Sequence, residues 1–264
     1  MNISENKGIA LITGASSGIG ALYADRLARR GYDLILVARN RERLDRVATR
    51  ITAETKRSVE TMVADLGEAA DLSHVEDRLR TDAGIVMLVN NAGVGATSSL
   101  LDSNADSMDR MIALNVNALM RLTYAAAPGF VARGTGSIIN IASVVAVAPE
   151  LLNGVYGASK AFVLAFSQSL RHELSDKGVR VQVVLPGATA TDFWDIAGTP
   201  IEHLPADMVM SGENLVDAAL AGFDLGEFAT VPALPEIADW DAFEAARDVL
   251  RPNLSLSQSA LRYR

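Results

Sequence analysis

The sequence predicts an α/β fold in which a parallel sheet is buried between two layers of helices. Three observations predict it. Apolar runs of strand length alternate with stretches of helical period; those runs are almost continuously apolar; and the first run enters the glycine-rich stretch Thr13 to Gly20, TGASSGIG, which opens a helix. A strand covered on both faces needs apolar side chains at every position, whereas a half-exposed strand would alternate.

The first strand is the apolar run Ile9 to Ile12, and the helix after the glycines runs to about Arg30. Gly14 suits the tight turn, Gly18 lets backbone approach a ligand, and Gly20 lets helix and strand pack closely. Exposed N–H groups and the helix dipole there can meet a pyrophosphate. The G-x-x-x-G-x-G spacing is one residue longer than the commoner dinucleotide fingerprint, so it needs support from elsewhere. Asp33 to Ala38, DLILVA, is the second strand, and Arg41 to Glu54 is a charged helix with Leu44, Val47, Ala48 and Ile51 on one face. A strand near Val59 to Ala64 and a helix near Glu68 to Arg80 repeat the unit. The fourth strand, Ile85 to Val89, ends in Asn90, Asn91, Ala92 and Gly93; a longer helix covers about Asn104 to Ala132. Ser137 to Ile141 is a strand, Tyr156 to Asp176 a helix, and Val179 to Leu185 a strand stopped by Pro186 and Gly187. The pattern then loosens to about Gly212. A helix near Glu213 to Gly222, a short strand near Phe228 to Val231 and a helix near Pro235 to Leu250 follow. Residues 1–264 read as one domain without repeats.

Parallel sheets bind ligands beyond the carboxyl ends of their strands, which is where Gly14, Arg39, Asp65, Asn90, Ser143 and Pro186 fall. The net charge of -8 argues against a nucleic-acid partner, since phosphate backbones are bound by clustered Lys and Arg. No cysteine is present, which excludes a disulfide and a thiolate nucleophile, and His74, His172 and His203 lie too far apart to suggest a metal site. The polar start MNISENKG lacks the segments of a signal peptide, and Ile138 to Ala148 is too short to span a bilayer, so a cytoplasmic location without membrane association is expected.

Tyr156 and Lys160 stand four residues apart on one helical face, where a cation favours the phenolate. The Tyr-x-x-x-Lys pattern is common, but Ser143 lies thirteen positions earlier at the end of a strand. Met108, Ile112, Asn115, Leu119 and Leu122 form one helical stripe, which makes Asn115 a polar residue at an apolar position. A buried amide must be paired, so satisfying backbone groups is the plainer account of Asn115.

TGASSGIG, NNAG at Asn90 to Gly93, Ser143, YGASK at Tyr156 to Lys160 and PGATAT at Pro186 to Thr191 together resemble the classical short-chain dehydrogenase/reductase family, in order and spacing, from about Lys7 to Thr191. The resemblance implies a Rossmann-like, doubly wound, mainly parallel seven-stranded sheet with helices on both faces. It also implies hydride transfer between NAD(P) and a carbonyl or alcohol. By position, Tyr156 would be the general acid or base and Lys160 would lower its pKa and hold the nicotinamide ribose. Ser143 would hydrogen-bond the substrate oxygen, and Asn115 would complete a tetrad supporting a proton relay. The cofactor would lie along Gly14, Ser16, Ser17, Gly18, Ile19 and Gly20, then Asp65, Leu66, Asn91, Ala92 and Gly93, and beside Tyr156, Lys160, Pro186, Gly187, Thr189 and Thr191. Asp65 matches the family aspartate that accepts from the adenine amino group; as a plain residue it reads as a helix N-cap.

The second strand ends in Ala38 and Arg39, where NAD-preferring members carry a carboxylate for the ribose hydroxyls. An arginine there can pair with a 2′-phosphate, which implies NADP(H). Arg41, Arg43 and Arg46, interleaved with Glu42 and Asp45, read as a solvated helix face. On the substrate side, Phe193, Trp194, Ile196, Leu204, Met208 and Met210 lie where the family has its variable loop, and Val144 to Gly154, with Val145, supplies the opposite wall. Ser143, Val145, Tyr156, Phe193 and Trp194 are the expected substrate contacts, although the aromatic residues could equally pack the loop. A medium-sized, mainly apolar carbonyl or secondary alcohol is expected, and Asp192, Asp195 and Glu202 disfavour a strongly anionic one. The alternative to an enzyme is a catalytically silent NADP(H)-binding sensor. Small residues Ala158, Ala161 and Ala165 on the active-site helix suit close packing in a homodimer or homotetramer.

Overall fold

The first four strands and three helices alternate as expected: β1 (Ile9–Thr13), α1 (Gly18–Arg29), β2 (Asp33–Ala38), α2 (Arg41–Thr55), β3 (Val59–Val63), α3 (Ala69–Thr81), β4 (Ile85–Asn90). The computed structural model describes residues 6–264, except for the side chains of Asp195 and Ile196; those two expected loop residues therefore lie outside the described side chains. After β4 come α4 (Ala105–Ile112), a π-helical stretch (Ala113–Ala118), α5 (Leu119–Arg133), β5 (Gly136–Ile141), α6 (Gly154–Leu174) and β6 (Val179–Val184). The irregular region holds a two-residue pair, β7 (Thr189–Ala190) with β8 (Met210–Ser211), and a short α7 (Phe193–Ala197). Then follow α8 (Gly212–Leu225), β9 (Ala229–Thr230) and α9 (Ile237–Leu250).

The main sheet has seven strands in the order β3-β2-β1-β4-β5-β6-β9, with every pairing parallel. The chain winds outward from β1 to β3 and then returns to β4, so the strand order reverses between β1 and β4. On one face Ala10, Ile12, Leu34 and Leu36 pack against Tyr23, Ala24 and Leu27 of α1 and Leu215, Val216 and Ala219 of α8. Intervening residues such as Leu11 and Ile35 are equally buried on the other face, which is why the strands read as continuous apolar runs.

One element departs from the expected pattern. The single helix over 104–132 is interrupted by the π-helical stretch 113–118, which widens the helix by one residue per turn where Asn115 sits. Contacts group the chain into two compact units, one ending at Pro232 and one covering Ala233–Arg264. The second consists of α9, where Trp240 packs on Phe243 at 5.2 Å between ring centres, and two 3-10 turns at 251–253 and 261–263. Among the described residues no helix is long and apolar enough to cross a membrane.

Candidate active site

The crevice where the strand order reverses is built from the ends of β1 and β4. The Thr13 hydroxyl donates to Val89 O (3.3 Å) and accepts from the backbone N–H groups of Asn91 and Ala92, both at 3.0 Å. Asn91 Nδ2 returns a bond to Thr13 O at 2.9 Å. Together these lock the glycine turn to the NNAG segment. A Cβ on Gly20 would lie 2.3 Å from Gly14 O, so only glycine lets α1 start this close to the turn. Gly18 has φ +53° and faces Thr191, with nothing nearer to its missing Cβ than 3.4 Å. Ser17 caps α1 without a side-chain hydrogen bond, which leaves the N–H groups of the first turn directed at this cradle. The residues therefore fit a dinucleotide phosphate.

Arg39 and Asp65, at the ends of β2 and β3, approach to 3.7 Å. Asp65 is not the N-cap of α3, a position held by Glu68; its Oδ1 instead accepts from Gly67 N at 2.9 Å in a local turn. Arg43 is not merely solvated: its guanidinium reaches Asp192, at the start of the loop after Thr191, at 3.2 Å. Arg46 does pair along its own helix, with Glu42.

Ser143, Tyr156, Lys160 and Asn115 converge. Ser143 caps the short turn after β5, accepting from Val145 N and donating to Pro186 O, each at 3.3 Å. Tyr156 is 5% exposed, and burial pushes its phenol up to about 12, with the hydrogen bond to Ser143 pulling the other way. Lys160 is also buried, donates to Ile141 O at 2.9 Å, and is brought down to about 8 by the loss of water. Its ammonium lies 5.9 Å from the centre of the Tyr156 ring. Dehydration thus outweighs the lowering of the phenol expected from Lys160. Asn115 accepts from Val94 N (2.9 Å) and donates to Val94 O (2.8 Å) and to Ser159 Oγ (3.1 Å). Ser159 in turn donates to Tyr156 O at 2.8 Å. Asn115 therefore pairs backbone groups, as the plainer reading held, and also joins the NNAG segment to the helix of Tyr156.

Tyr156 forms one apolar cluster with Ala96, Met111 and Val145, against which Val94, Met108, Leu152, Val155 and Phe193 pack. The two expected aromatic contacts separate here. Phe193 lies 5.7 Å from Tyr156 between ring centres and occupies the space a Gly95 side chain would need. Trp194 is buried, donates from Nε1 to Thr189 O at 3.0 Å and meets Phe193 edge-on, so it anchors the loop. Met108, which the sequence shows only as part of a helical stripe, and Met111, which the sequence pattern does not single out, line the same space from α4. Asn153, three residues before Tyr156, caps α6; the sequence signal for it was an Asn ahead of a helix start. Among the described residues no group of three metal-ligating side chains gathers.

The short chain dehydrogenase family matches residues 8–199. A short-chain dehydrogenase from Sphingobium yanoikuyae, solved in complex with NADPH, is 51% identical with a TM-score of 0.94, covering 97% of this chain and all of that one. The bulky-bulky ketone specific alcohol dehydrogenase from Comamonas testosteroni is 47% identical with a TM-score of 0.90, over 98% of this chain and 99% of that one. A very-long-chain 3-oxoacyl-CoA reductase from Anas platyrhynchos is 39% identical over 195 residues; the match covers 71% of this chain but only 62% of the relative's length.

Proposed function

The chain belongs to the short-chain dehydrogenase family and is an oxidoreductase, and from that premise we propose that it interconverts bulky, mainly apolar ketones and secondary alcohols using NADP(H). The observation that carries this reading is Tyr156, a dehydrated phenol hydrogen-bonded to Ser143 and walled by apolar side chains from α4, α6, the turn after β5 and the loop after Thr191. Two similar solved proteins support it: one holds NADPH, and the other is described as specific for bulky-bulky ketones.

NADPH, when bound, supplies the hydride to the carbonyl carbon. The N-terminal turn of α1, Thr191, Asn91 and Lys160 would hold it, with Arg39 taking the 2′-phosphate that Ala38 leaves unopposed by any carboxylate of its own. Ser143 donates a hydrogen bond to the carbonyl oxygen and so stabilises the negative charge that grows there. Tyr156 gives its proton to that oxygen, completing the alcohol, and is left as a phenolate. Its raised pKa keeps the phenol protonated at neutral pH, which suits the reductive direction. Lys160, four residues on, stabilises the phenolate. Phe193, Val145, Met108 and Met111 receive the apolar substituents.

A cytoplasmic homodimer or homotetramer also fits the proposal. Ala158 and Ala165 are exposed on α6, beside the stacked row Tyr124, Phe166 and Phe162. The decisive experiment is a screen of the purified protein with NADPH against aliphatic, aryl and diaryl ketones, followed by NADPH consumption. No turnover of any carbonyl, with the cofactor bound, would favour the sensor. Arg39→Asp should weaken NADPH far more than NADH; equal affinity of the native protein for both cofactors would reject the 2′-phosphate role.

A further inference from the structure

We propose that Asn153 is a positioning residue that ties the first turn of the Tyr156 helix to the segment holding the substrate loop; this inference rests on the role of Tyr156 proposed above. Its side chain is 5% exposed, and all of its hydrogen-bonding groups are used in two directions. Oδ1 accepts from Val155 N at 2.9 Å and from Tyr156 N at 3.3 Å, which fixes the peptide of the catalytic residue itself. Nδ2 donates to Ser98 O at 2.7 Å and to Ser103 Oγ at 3.0 Å.

Those two acceptors belong to a segment that does more than connect β4 to α4. At Val94 it is held by Asn115. At Gly95 it lies under the Phe193 ring. At Thr97 it holds the loop after Thr191: Thr97 N and Oγ1 both donate to Ala197 O, at 3.1 and 2.9 Å, and Thr199 Oγ1 donates to Thr97 Oγ1 at 2.9 Å. Asn153 is thus where the scaffold of the substrate loop is fastened to the helix that carries the proton donor. An ordinary helix cap needs only the oxygen; the second direction, through Nδ2, is what a cap does not require.

The two functions can be separated. Asn153→Asp keeps an oxygen for both N–H groups, at a helix N-terminus that favours a carboxylate, but removes both donors and sets a negative oxygen against Ser98 O. Asn153→Ala removes cap and tether together. Aspartate should therefore keep the first turn of α6 capped, as the alanine variant cannot, and leave NADPH affinity native. It should also lower kcat by about tenfold or more and raise KM, since small misplacements of reacting groups carry large rate penalties. A native kcat and KM in the aspartate variant would reduce Asn153 to a cap and overturn the proposal.

Amide hydrogen exchange provides a readout independent of activity. In the aspartate variant residues 97–104 and 197–199 should exchange faster while 155–160 stay protected; unchanged exchange at 97–104 would also overturn the tether. Tyr156→Phe is assayed alongside. If it turns over normally, the mechanism above fails, while the exchange data still decide whether the tether exists.

Discussion

Glu76 on α3 and Tyr156 on α6 are both almost wholly buried, yet their surroundings drive their protonation in opposite senses. Burial works to raise the carboxyl of Glu76, but hydrogen bonds and charges from Arg121 and Arg80 hold it below its ordinary value. Asp25 on α1 is treated the same way, with Arg29, Arg26 and Arg50 outweighing its burial. Around Tyr156 the hydrogen bond to Ser143 offsets burial only in part, and among the described residues no carboxylate pairs with Lys160, which burial alone brings down to about 8. The two carboxylates are locked in their charged forms and join helix to helix. The phenol and the amine are pushed towards their neutral forms. Buried charge with ionic partners marks the framework here, whereas the phenol and the amine of the crevice are buried without an opposite charge.

The largest test of that contrast is Tyr156→Phe, which keeps the ring in its apolar cluster and removes only the hydroxyl. Turnover should fall by at least about two orders of magnitude with NADPH binding nearly native, the usual scale for a general acid. Lys160→Ala should lose turnover and weaken the cofactor as well. A folded, cofactor-bound phenylalanine variant reducing a confirmed ketone at the native rate would remove Tyr156 from the mechanism.

At Glu76 the loss should be of stability alone. Glu76→Ala removes a buried carboxylate from two arginines that can return to water, so denaturant unfolding should show a loss of about 1–3 kcal/mol with kcat unchanged. Equal damage to kcat would mean that the α3–α5 link reaches the site. The pH dependence has a definite sign. Carboxyls lowered in the folded state stabilise above their unfolded values and lose that contribution as pH falls through the folded ones, so the acid limb of stability should be shallower in Glu76→Ala.

The smallest effect is expected at Lys160, where the slope has the same sign but falls on the alkaline side. An amine lowered from 10.5 to about 8 by folding binds fewer protons folded than unfolded between those values, so its contribution to stability rises with pH across that window. Lys160→Met should flatten the rise and melt no lower than the native protein at neutral pH. A marked loss of stability in that variant would show that Lys160 supports the framework after all.

Tyr156, Lys160 and Ser143 were legible because their types and spacing are set by a strand end and one turn of helix. The glycines of the β1 turn were legible because close approach admits no other residue. Arg43 was misread because its partner, Asp192, stands in a different segment, and a charged residue on a helix face looks solvated unless the facing loop is known. Trp194 and Phe193, adjacent in sequence, could not be told apart: which ring meets Tyr156 depends on the turn of α7.

Hydrophobic period, turn residues and local spacing determined from the sequence alone the alternating fold, the strand ends at which the site lies and the residues that carry its chemistry. These are short-range properties, expressed within one element and its flanking turn. Only the tertiary structure decided the π-helical stretch at Asn115, the two-way use of Asn153, the separation of Ala233–Arg264 as its own unit and the dehydration that outweighs Lys160 at Tyr156. Each of these depends on which distant segments meet and where water is excluded, and both are consequences of packing the whole chain.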